Sequence, residues 1–210
     1  SNVNEKPIFT TSSASSFAIE ENSTTLVTIV ATDPESDSIS YSLSDSSGSQ
    51  DEGLLQISSS NGEISFKSAP NFENPIDIDS NNSLTFTVIA SDGNLNNSQE
   101  FYANITNVAE APTNIEVSNN SVSENSVGAL FGVLNITDED LDIKSITITD
   151  SDSGCFRLDT DLNLSLCPSY ATDYERKNSY TIEITLEDNG GFTFTDTITL
   201  TITDINEAPT

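Results

Sequence analysis

The chain has 210 residues, of which 34 are acidic and six are basic, so its net charge is −28. This charge argues against nucleic acid and anionic lipid surfaces as partners and favours multivalent cations, with simple solubility as the alternative explanation for scattered acids. Hydrophobic residues still make up 34% and fall in alternating runs, which excludes disorder, and no apolar run is long enough to insert into a membrane.

Three proline-terminated segments, at residues 2–7, 107–112 and 204–209, recur about every 100 residues. A fixed period of this length indicates tandem copies of one domain. We therefore predict a residual linker at 1–7, repeat 1 at 8–106, a linker at 107–112, repeat 2 at 113–203 and the start of a further linker at 204–210. Ser1-Asn2 is interpreted as a remnant of cloning.

Short segments with alternating apolar and polar residues follow the same order in both repeats. They are 25–31, 39–43, 84–90 and 100–106 in repeat 1, and 130–136, 146–148, 180–186 and 197–203 in repeat 2. Period two with many Thr, Val and Ile residues predicts half-buried strands, and no stretch has the period of a helix. With further strands near Phe17, Leu55 and Ile64, each repeat has about seven strands, which predicts an all-β chain of two immunoglobulin-like sandwiches.

The only two cysteines, Cys155 and Cys167, flank a predicted pair of short strands around an Asp/Thr turn. A disulfide across this hairpin is sterically reasonable, whereas two free buried cysteines are the alternative. A disulfide would indicate an extracellular location. No signal peptide or lipidation motif is visible, so we expect either a soluble chain or a fragment of a larger protein.

Acidic residues occupy corresponding positions when the two repeats are superimposed. Glu21-Asn22 matches Glu124-Asn125, the acids at 33–37 match those at 138–142, Asn71 and Glu73 match Asp173 and Glu175, and Asp92 matches Asp188. All lie at strand ends or in loops, where converging oxygen ligands favour calcium over magnesium, which requires a stricter octahedron. Asp37 and Asp142 are candidate auxiliary ligands, and the alternative for Asp142 and Glu139 is a solvated loop acid.

These motifs resemble the cadherin-like repeat in its bacterial form, whose Glu-Asn, Asp-x-Glu, Asp-x-Asp, Ala-x-Asp and linker motifs hold calcium between repeats. The resemblance covers nearly the whole chain in two copies and implies seven-stranded Greek-key sandwiches of the cadherin type. It implies two or three calcium ions at the inner joint. The ligands there would be Glu21, Asn71, Glu73, Asn107, Glu110, Asp138, Asp140 and Asp188.

The same resemblance implies two outer half-sites, which we expect to be empty or partial. One comprises Asn4, Glu5, Asp33, Glu35 and Asp92, and the other comprises Glu124, Asp173, Glu175, Asp204, Asn206 and Glu207. Departures from the family pattern are Asn71 in place of Asp, and Ala109 and Ala111 in place of Asn. They predict a lower calcium affinity at the inner joint than a full motif would give.

Three classes of function follow from these patterns. The first is a calcium-stiffened structural and adhesion segment of a large extracellular, bacterial surface protein, with neighbouring repeats of the same chain as its partners. The second is a module that binds a carbohydrate or a cell-surface protein. The third, an enzyme, is rejected, because without histidine there is no Ser-His or Cys-His pair and the paired carboxylates coincide with proposed calcium ligands.

Overall fold

The computed structural model describes residues 3–13, 16–44, 51–150 and 155–207, with the backbone alone at Asp150. The chain divides into unit 1, Ser1–Val108, and unit 2, Ala109–Thr210. The proposed remnant Ser1-Asn2 and the last residues of the third proline segment lie outside the described residues. No helix among the described residues has the length and apolar character needed to cross a membrane.

Unit 1 is a β-sandwich, as its sequence predicts. Its strands are β1 (Ile8–Phe9), β2 (Phe17–Glu20), β3 (Thr25–Thr28), β4 (Ala31–Thr32), β5 (Ser40–Leu43), β6 (Leu55–Ile57), β7 (Glu63–Phe66), β8 (Ser83–Ser91) and β9 (Asn96–Thr106). One sheet has the order β2-β9-β8-β5, a second has the order β3-β7-β6, and β1 and β4 form a separate two-stranded sheet. A short 3-10 helix, Asp51–Leu54, precedes β6.

Unit 2 repeats this plan. Its strands are β10 (Asn114–Val117), β11 (Ser121–Ser123), β12 (Leu130–Thr137), β13 (Ile143–Asp150), β14 (Phe156–Leu158), β15 (Asn163–Leu166), β16 (Ser179–Asp188) and β17 (Thr193–Thr203). The sheets have the orders β11-β17-β16-β13 and β10-β12-β15-β14. In both units the first strand is divided into two segments, and in unit 1 the second strand is divided as well, into β3 and β4. Each unit therefore has seven strands among the described residues, which confirms the all-β, immunoglobulin-like fold.

The cores form because alternate residues of the long strands point between the sheets. Along β8 the side chains alternate between part-buried or exposed and fully buried, and β16 shows the same alternation. In unit 1 the ring of Phe101 contacts Phe9, Phe17 and Phe86. In unit 2 a chain of rings links Phe131, Phe156, Tyr180 and Tyr170. These cores fix the ends of the strands at which the acids lie.

The segment predicted as one strand at 25–31 is two strands in the structure, β3 and β4. The break follows a change of partner, since β3 pairs with β7 whereas β4 pairs with β1. The Val30 carbonyl accepts hydrogen bonds from the backbone N–H groups of Thr10 and Thr11 at 2.8 and 3.2 Å, and the Ile29 N–H donates to Gly62. Gly62 has a φ of +72°, and a Cβ there would lie 2.2 Å from the Ile29 carbonyl oxygen, so this turn requires glycine.

Cys155 and Cys167 form a disulfide in the structure, as predicted. Their Cα atoms are 5.3 Å apart, and the Cys167 N–H donates to the Cys155 carbonyl oxygen at 2.7 Å. The bridge closes the hairpin of β14 and β15, with Leu162 in the left-handed region at the turn. It therefore holds together the two strands at one edge of a sheet in unit 2.

Candidate metal centre

Glu21 organises the carboxyl-end cluster of unit 1, which also contains Glu73 and Asn107. Glu21 directly follows β2 and is almost fully buried. Its Oε2 atom accepts a hydrogen bond from Phe72 N–H at 2.6 Å, and its Oε1 atom accepts one from Val108 N–H at 2.9 Å. A carboxylate oxygen of Glu73 lies within 4.8 Å of one from Glu21, and Asn107 Nδ2 donates to Glu73 Oε1 at 2.8 Å. The buried glutamate thus ties the linker to the loop that carries Glu73.

Glu124 has the same contacts in the carboxyl-end cluster of unit 2. Its Oε2 atom accepts from Tyr174 N–H and its Oε1 atom from Ile205 N–H, each at 2.8 Å. Carboxylate oxygens of Glu124, Asp173 and Glu175 lie within 4.8 Å of one another. The structure therefore places the two predicted carboxyl-end motifs in equivalent local environments, each within its own unit.

Two predicted linker residues, Asp204 and Glu207, lie close enough to this cluster for their charges to act on Glu175. Asn125 Nδ2 donates to Glu207 Oε1 at 2.8 Å. The backbone N–H of Glu175 lowers the pKa of its own side chain, but burial and the charges of Glu124, Glu207 and Asp204 outweigh this and raise the pKa above its usual value. The cluster is thus a place where negative charges repel one another.

The amino-end cluster of unit 2 comprises Glu110, Asp138, Asp140, Asp142 and Asp188. Asp138 follows β12, and it shares a short loop with Asp140 and Asp142. Carboxylate oxygens of these three aspartates all lie within 4.8 Å of one another. Leu141, between them, has a φ of +56°, which turns the loop so that alternate side chains converge. The loop therefore presents three carboxylates to one point.

Asp188 contributes a buried carboxylate to this end of unit 2, and Glu110 contributes a backbone donor. Asp188 is the last residue of β16 and is 0% exposed, with Oδ1 accepting from Phe192 N–H at 2.8 Å and Oδ2 buried without a hydrogen bond. Glu110 N–H donates to Asp140 Oδ2 at 2.8 Å. Asn189 donates from its backbone N–H and its Nδ2 to the Asp142 carbonyl, which joins the two loops. A buried carboxylate oxygen without a donor is costly unless a cation neutralises it.

Asp138 is a buried acid without a hydrogen-bond partner. It is 5% exposed, and neither carboxylate oxygen accepts a hydrogen bond of normal geometry. Burial raises the pKa of Asp138, and the charges of Asp142 and Asp140 raise it further. The backbone N–H groups of the same two residues lower this pKa, although they lie outside normal hydrogen-bond geometry. The arrangement fits a carboxylate that is completed by a cation.

The five residues predicted for the amino-end cluster of unit 1 form two hydrogen-bonded sets. Asn4 Nδ2 donates to Asp92 Oδ2 at 2.8 Å, and Glu5 N–H donates to Glu35 Oε2 at 3.0 Å. Hydrogen bonds from Leu95 and Asn94 N–H, and then from Asn4, lower the pKa of Asp92. Asp33 Oδ1 accepts from Glu35 and Asp37 N–H, at 2.9 and 3.0 Å. Backbone donors thus satisfy much of this cluster.

Three groups of converging carboxylates are present among the described residues, and Asp33, Glu35 and Asp92 do not form one of them. Asp142, which the sequence left as either an auxiliary ligand or a solvated acid, belongs to the group with Asp138 and Asp140. The sequence pattern that could have identified Asp142 as a member is the alternation of acids at 138, 140 and 142. Asn71 uses its Oδ1 atom to accept a hydrogen bond from Asn74 N–H at 2.6 Å, so it shapes the turn that contains Glu73.

Sequence reasoning did not single out a second set of buried acids in unit 1, which comprises Asp51, Glu52 and Asp77. Asp51 accepts hydrogen bonds from Ile78 and Thr85 N–H, at 3.0 and 2.8 Å. Glu52 accepts one from Thr87 N–H, and Asp77 accepts one from Asn81 N–H. These carboxylates satisfy backbone donors of β8 and of the loop before it, so their role is structural.

Comparison with known proteins agrees with the fold. Residues 4–106 match the family model described as Bacterial Ig domain. Repeats EC1-2 of human protocadherin-24, in a second crystal form, cover 96% of this chain and 100% of their own, with a TM-score of 0.67 and 17% identity. Repeats EC22-24 of mouse cadherin-23 cover 97% and 68%, with a TM-score of 0.58 and 20% identity. No curated protein matches the chain in sequence.

These similarities confirm at the level of fold the resemblance that the motifs indicated. Identities of this size show the architecture alone. The chain folds as two tandem cadherin-like, immunoglobulin-type repeats.

Proposed function

We propose that this pair of cadherin-like repeats binds calcium at the joint between them and serves as a structural and adhesion segment of a larger extracellular surface protein. The observation that carries the proposal is the amino-end cluster of unit 2. There Asp138, Asp140 and Asp142 converge, and both oxygens of the buried Asp138 lack a hydrogen bond. The carboxyl-end cluster of unit 1 supplies Glu21, Glu73 and Asn107.

Electrostatic repulsion supports a divalent cation at this cluster. Two unit charges 4.8 Å apart repel by about 3.5 kcal/mol at an effective dielectric constant near 20. The three aspartate carboxylates lie within that distance of one another. An ion of charge +2 converts this repulsion into attraction, so metal binding and folding are coupled at this end of unit 2.

The ligand set favours calcium over other cations. The clustered side chains offer carboxylate and amide oxygens, and the chain contains no histidine. Its two cysteines are joined in a disulfide, so soft ligands for zinc or copper are not available from either residue type. Calcium takes six to eight oxygen ligands in flexible geometry, whereas magnesium requires a strict octahedron. We infer two or three calcium ions at the joint, with affinity reduced by Ala109 and Ala111.

The linker is short and is held at both ends, so bound calcium would stiffen the joint. Val108 N–H is held by Glu21 within unit 1, and Glu110 N–H is held by Asp140 within unit 2, with Ala109 alone between these two residues. Calcium shared by the two clusters would remove the remaining freedom of this short segment and stiffen the joint. Without calcium the acids would repel and the joint would become flexible.

An extracellular, bacterial context is part of the same proposal. The disulfide is of a kind that persists in oxidising compartments, and residues 4–106 match the bacterial Ig domain family. The chain would project or link binding regions by means of its repeats and would have no catalytic activity. Its partners would be calcium, neighbouring repeats and a cell-surface protein or glycan bound elsewhere in the assembly.

The test combines a melting curve with small-angle X-ray scattering, in excess calcium and in EDTA. Calcium should raise the melting temperature and narrow the distribution of distances between the units. At a hundredfold excess over the dissociation constant, each site stabilises the folded form by about 2.7 kcal/mol. Magnesium at equal concentration is the control for ionic strength. If EDTA changes neither curve, the calcium-joint proposal is wrong.

A further inference from the structure

The sequence has an asparagine followed by glycine at two places, Asn61-Gly62 in unit 1 and Asn189-Gly190 in unit 2. In such a pair the backbone nitrogen of the glycine can attack the side-chain amide carbon of the asparagine. Glycine permits this attack more readily than other residues, because it has no Cβ and a flexible backbone. The covalent chemistry of the two pairs is the same, so their folded environments determine which of them reacts.

The environment of Asn61-Gly62 opposes the reaction. Gly62 is buried, its N–H donates to the Ser58 carbonyl at 3.0 Å, and its carbonyl accepts from Ile29 N–H at 2.9 Å. A Cβ on Gly62 would lie 2.2 Å from the Ile29 carbonyl oxygen, so this backbone has little room to move. Asn61 Oδ1 accepts a hydrogen bond from Glu63 N–H at 3.1 Å. Both the attacking nitrogen and the amide that it would attack are therefore held in place.

Asn189-Gly190 lies in the turn that joins β16 to β17. Both residues are exposed, and a hydrogen bond of 3.3 Å from Gly191 N–H to the Asp188 carbonyl closes the turn. Gly190 N–H makes no hydrogen bond within the described part of the chain. Asn189 is held by the Asp142 carbonyl, which accepts from its backbone N–H at 3.2 Å and from its Nδ2 at 2.9 Å. The attacking nitrogen is thus available, and the restraint on the amide depends on the loop that contains Asp142.

We propose that Asn189 is a deamidation site, at which unit 2 modifies itself without an enzyme. Gly190 N forms a bond to Asn189 Cγ while the bond from Cγ to Nδ2 breaks, and Nδ2 leaves as ammonia with the proton of the Gly190 N–H. Water then opens the cyclic imide at either carbonyl, which gives aspartate or isoaspartate. The net reaction consumes one water and releases one ammonia, so it needs no oxidant, reductant or metal.

The reaction alters the amino-end cluster of unit 2. It removes the Nδ2 donor and places a carboxylate beside the Asp142 carbonyl oxygen, so the hydrogen bond between the two loops is replaced by repulsion between two acceptors. The turn also adjoins the linker, since a Cβ on Gly190 would lie 2.8 Å from the Ala109 Cβ atom. Isoaspartate in addition lengthens the backbone of the turn by a methylene group. Deamidation therefore loosens this end of unit 2 as the protein ages.

The site goes beyond the proposed calcium joint and does not require it, but a coupling of its rate to calcium rests on that proposed function. Calcium bound by Asp138, Asp140 and Asp142 would fix the loop whose carbonyl holds Asn189. The calcium-free chain should therefore react faster than the calcium-bound chain.

The experiment is peptide mapping by mass spectrometry of the folded chain, incubated for weeks at mildly alkaline pH in EDTA, with a parallel sample unfolded in guanidinium chloride. In the unfolded sample the two asparagines should react at similar rates, because glycine follows both. In the folded chain Asn189 should react more than about fivefold faster than Asn61, whose reaction must first break the hydrogen bonds of Gly62 and Glu63. Asn189→Gln is the matched variant. It keeps an amide donor but would have to form a larger ring, so it should not react.

Two results would overturn the proposal. One is conversion of Asn61 as fast as that of Asn189 in the folded chain, and the other is an Asn189 that stays intact while both sites are consumed in the unfolded sample. Asn189→Asp reproduces one product and should lower the melting temperature in EDTA, whereas an unchanged temperature would show that the reaction does not loosen unit 2.

Addition of calcium should slow the reaction at Asn189 several-fold, and an unchanged rate would refute the coupling to the joint. The rate in EDTA does not involve calcium. Failure of the calcium joint and failure of the deamidation site are therefore separate results.

Discussion

Replacing Asp138 by asparagine should change stability in opposite directions with and without calcium. Asp138 is 5% exposed, lacks a hydrogen bond and has a carboxylate oxygen within 4.8 Å of those of Asp140 and Asp142. Asparagine keeps the shape and removes the charge. The metal-free variant should therefore be more stable than the original chain, whereas the calcium-bound variant should be less stable.

The expected size follows from the geometry. A pair of unit charges at 4.8 Å repels by about 3.5 kcal/mol at an effective dielectric constant near 20, and the partial exposure of Asp140 and Asp142 together with salt reduces this several-fold. We expect a net gain of about 1–2 kcal/mol in EDTA, or roughly 4–16 °C in the melting temperature of a domain of this size. In calcium at a hundredfold excess, loss of one site removes about 2.7 kcal/mol.

Scanning calorimetry of both proteins in EDTA and in calcium measures the four melting temperatures. Asp196→Asn is the matched control, because it removes a charge from an exposed position on β17 and should move neither curve by more than a degree or two. A fall in the melting temperature of Asp138→Asn in EDTA would refute the reasoning. It would mean that the carboxylate makes stabilising contacts in the metal-free state.

Three further predictions test the fold around the site. Asp51→Ala should destabilise unit 1 by about 2–3 kcal/mol in urea unfolding, because two backbone donors lose their acceptor; Asp161→Ala, at an exposed turn, should cost little. Reduction of the disulfide should destabilise unit 2 by about 3 kcal/mol and leave unit 1 unchanged, and an effect on unit 1 would contradict the division into units. Burial and the Tyr170 hydroxyl raise the pKa of Tyr180 to about 12. Because the folded form holds this proton more tightly, its stability should be complete below pH 10 and decline between pH 10 and 12, a decline that Tyr180→Phe should remove.

Most of the fold could be predicted from the sequence because strand periodicity is a local property. Alternation in 84–90 and 180–186 is enough to place β8 and β16, and the proline-terminated segments show that there are two domains. The break between β3 and β4 could not be predicted, because it depends on a change of pairing partner from β7 to β1. A change of pairing partner does not alter the alternation of apolar and polar residues within the segment itself.

The candidate site was predictable in its residue types but only partly in its contacts. Superposition of the repeats identified Glu21 and Glu124. In the structure each accepts hydrogen bonds from two backbone N–H groups at equivalent positions of its own unit. The participation of Asp142 was left open, because an acid in a loop has the same sequence signal whether or not it converges with others. The unpartnered state of Asp138 required the three-dimensional structure, since hydrogen-bond geometry is not encoded in spacing.

A crystal structure grown in calcium, with its anomalous signal recorded, would show whether calcium binds the acids at the joint. We predict two or three ions at the linker, with carboxylate oxygens of Asp138 and Asp140 at 2.3–2.6 Å from metal. Ions bound only at exposed surface acids, or none within that distance of Asp138, would contradict the account.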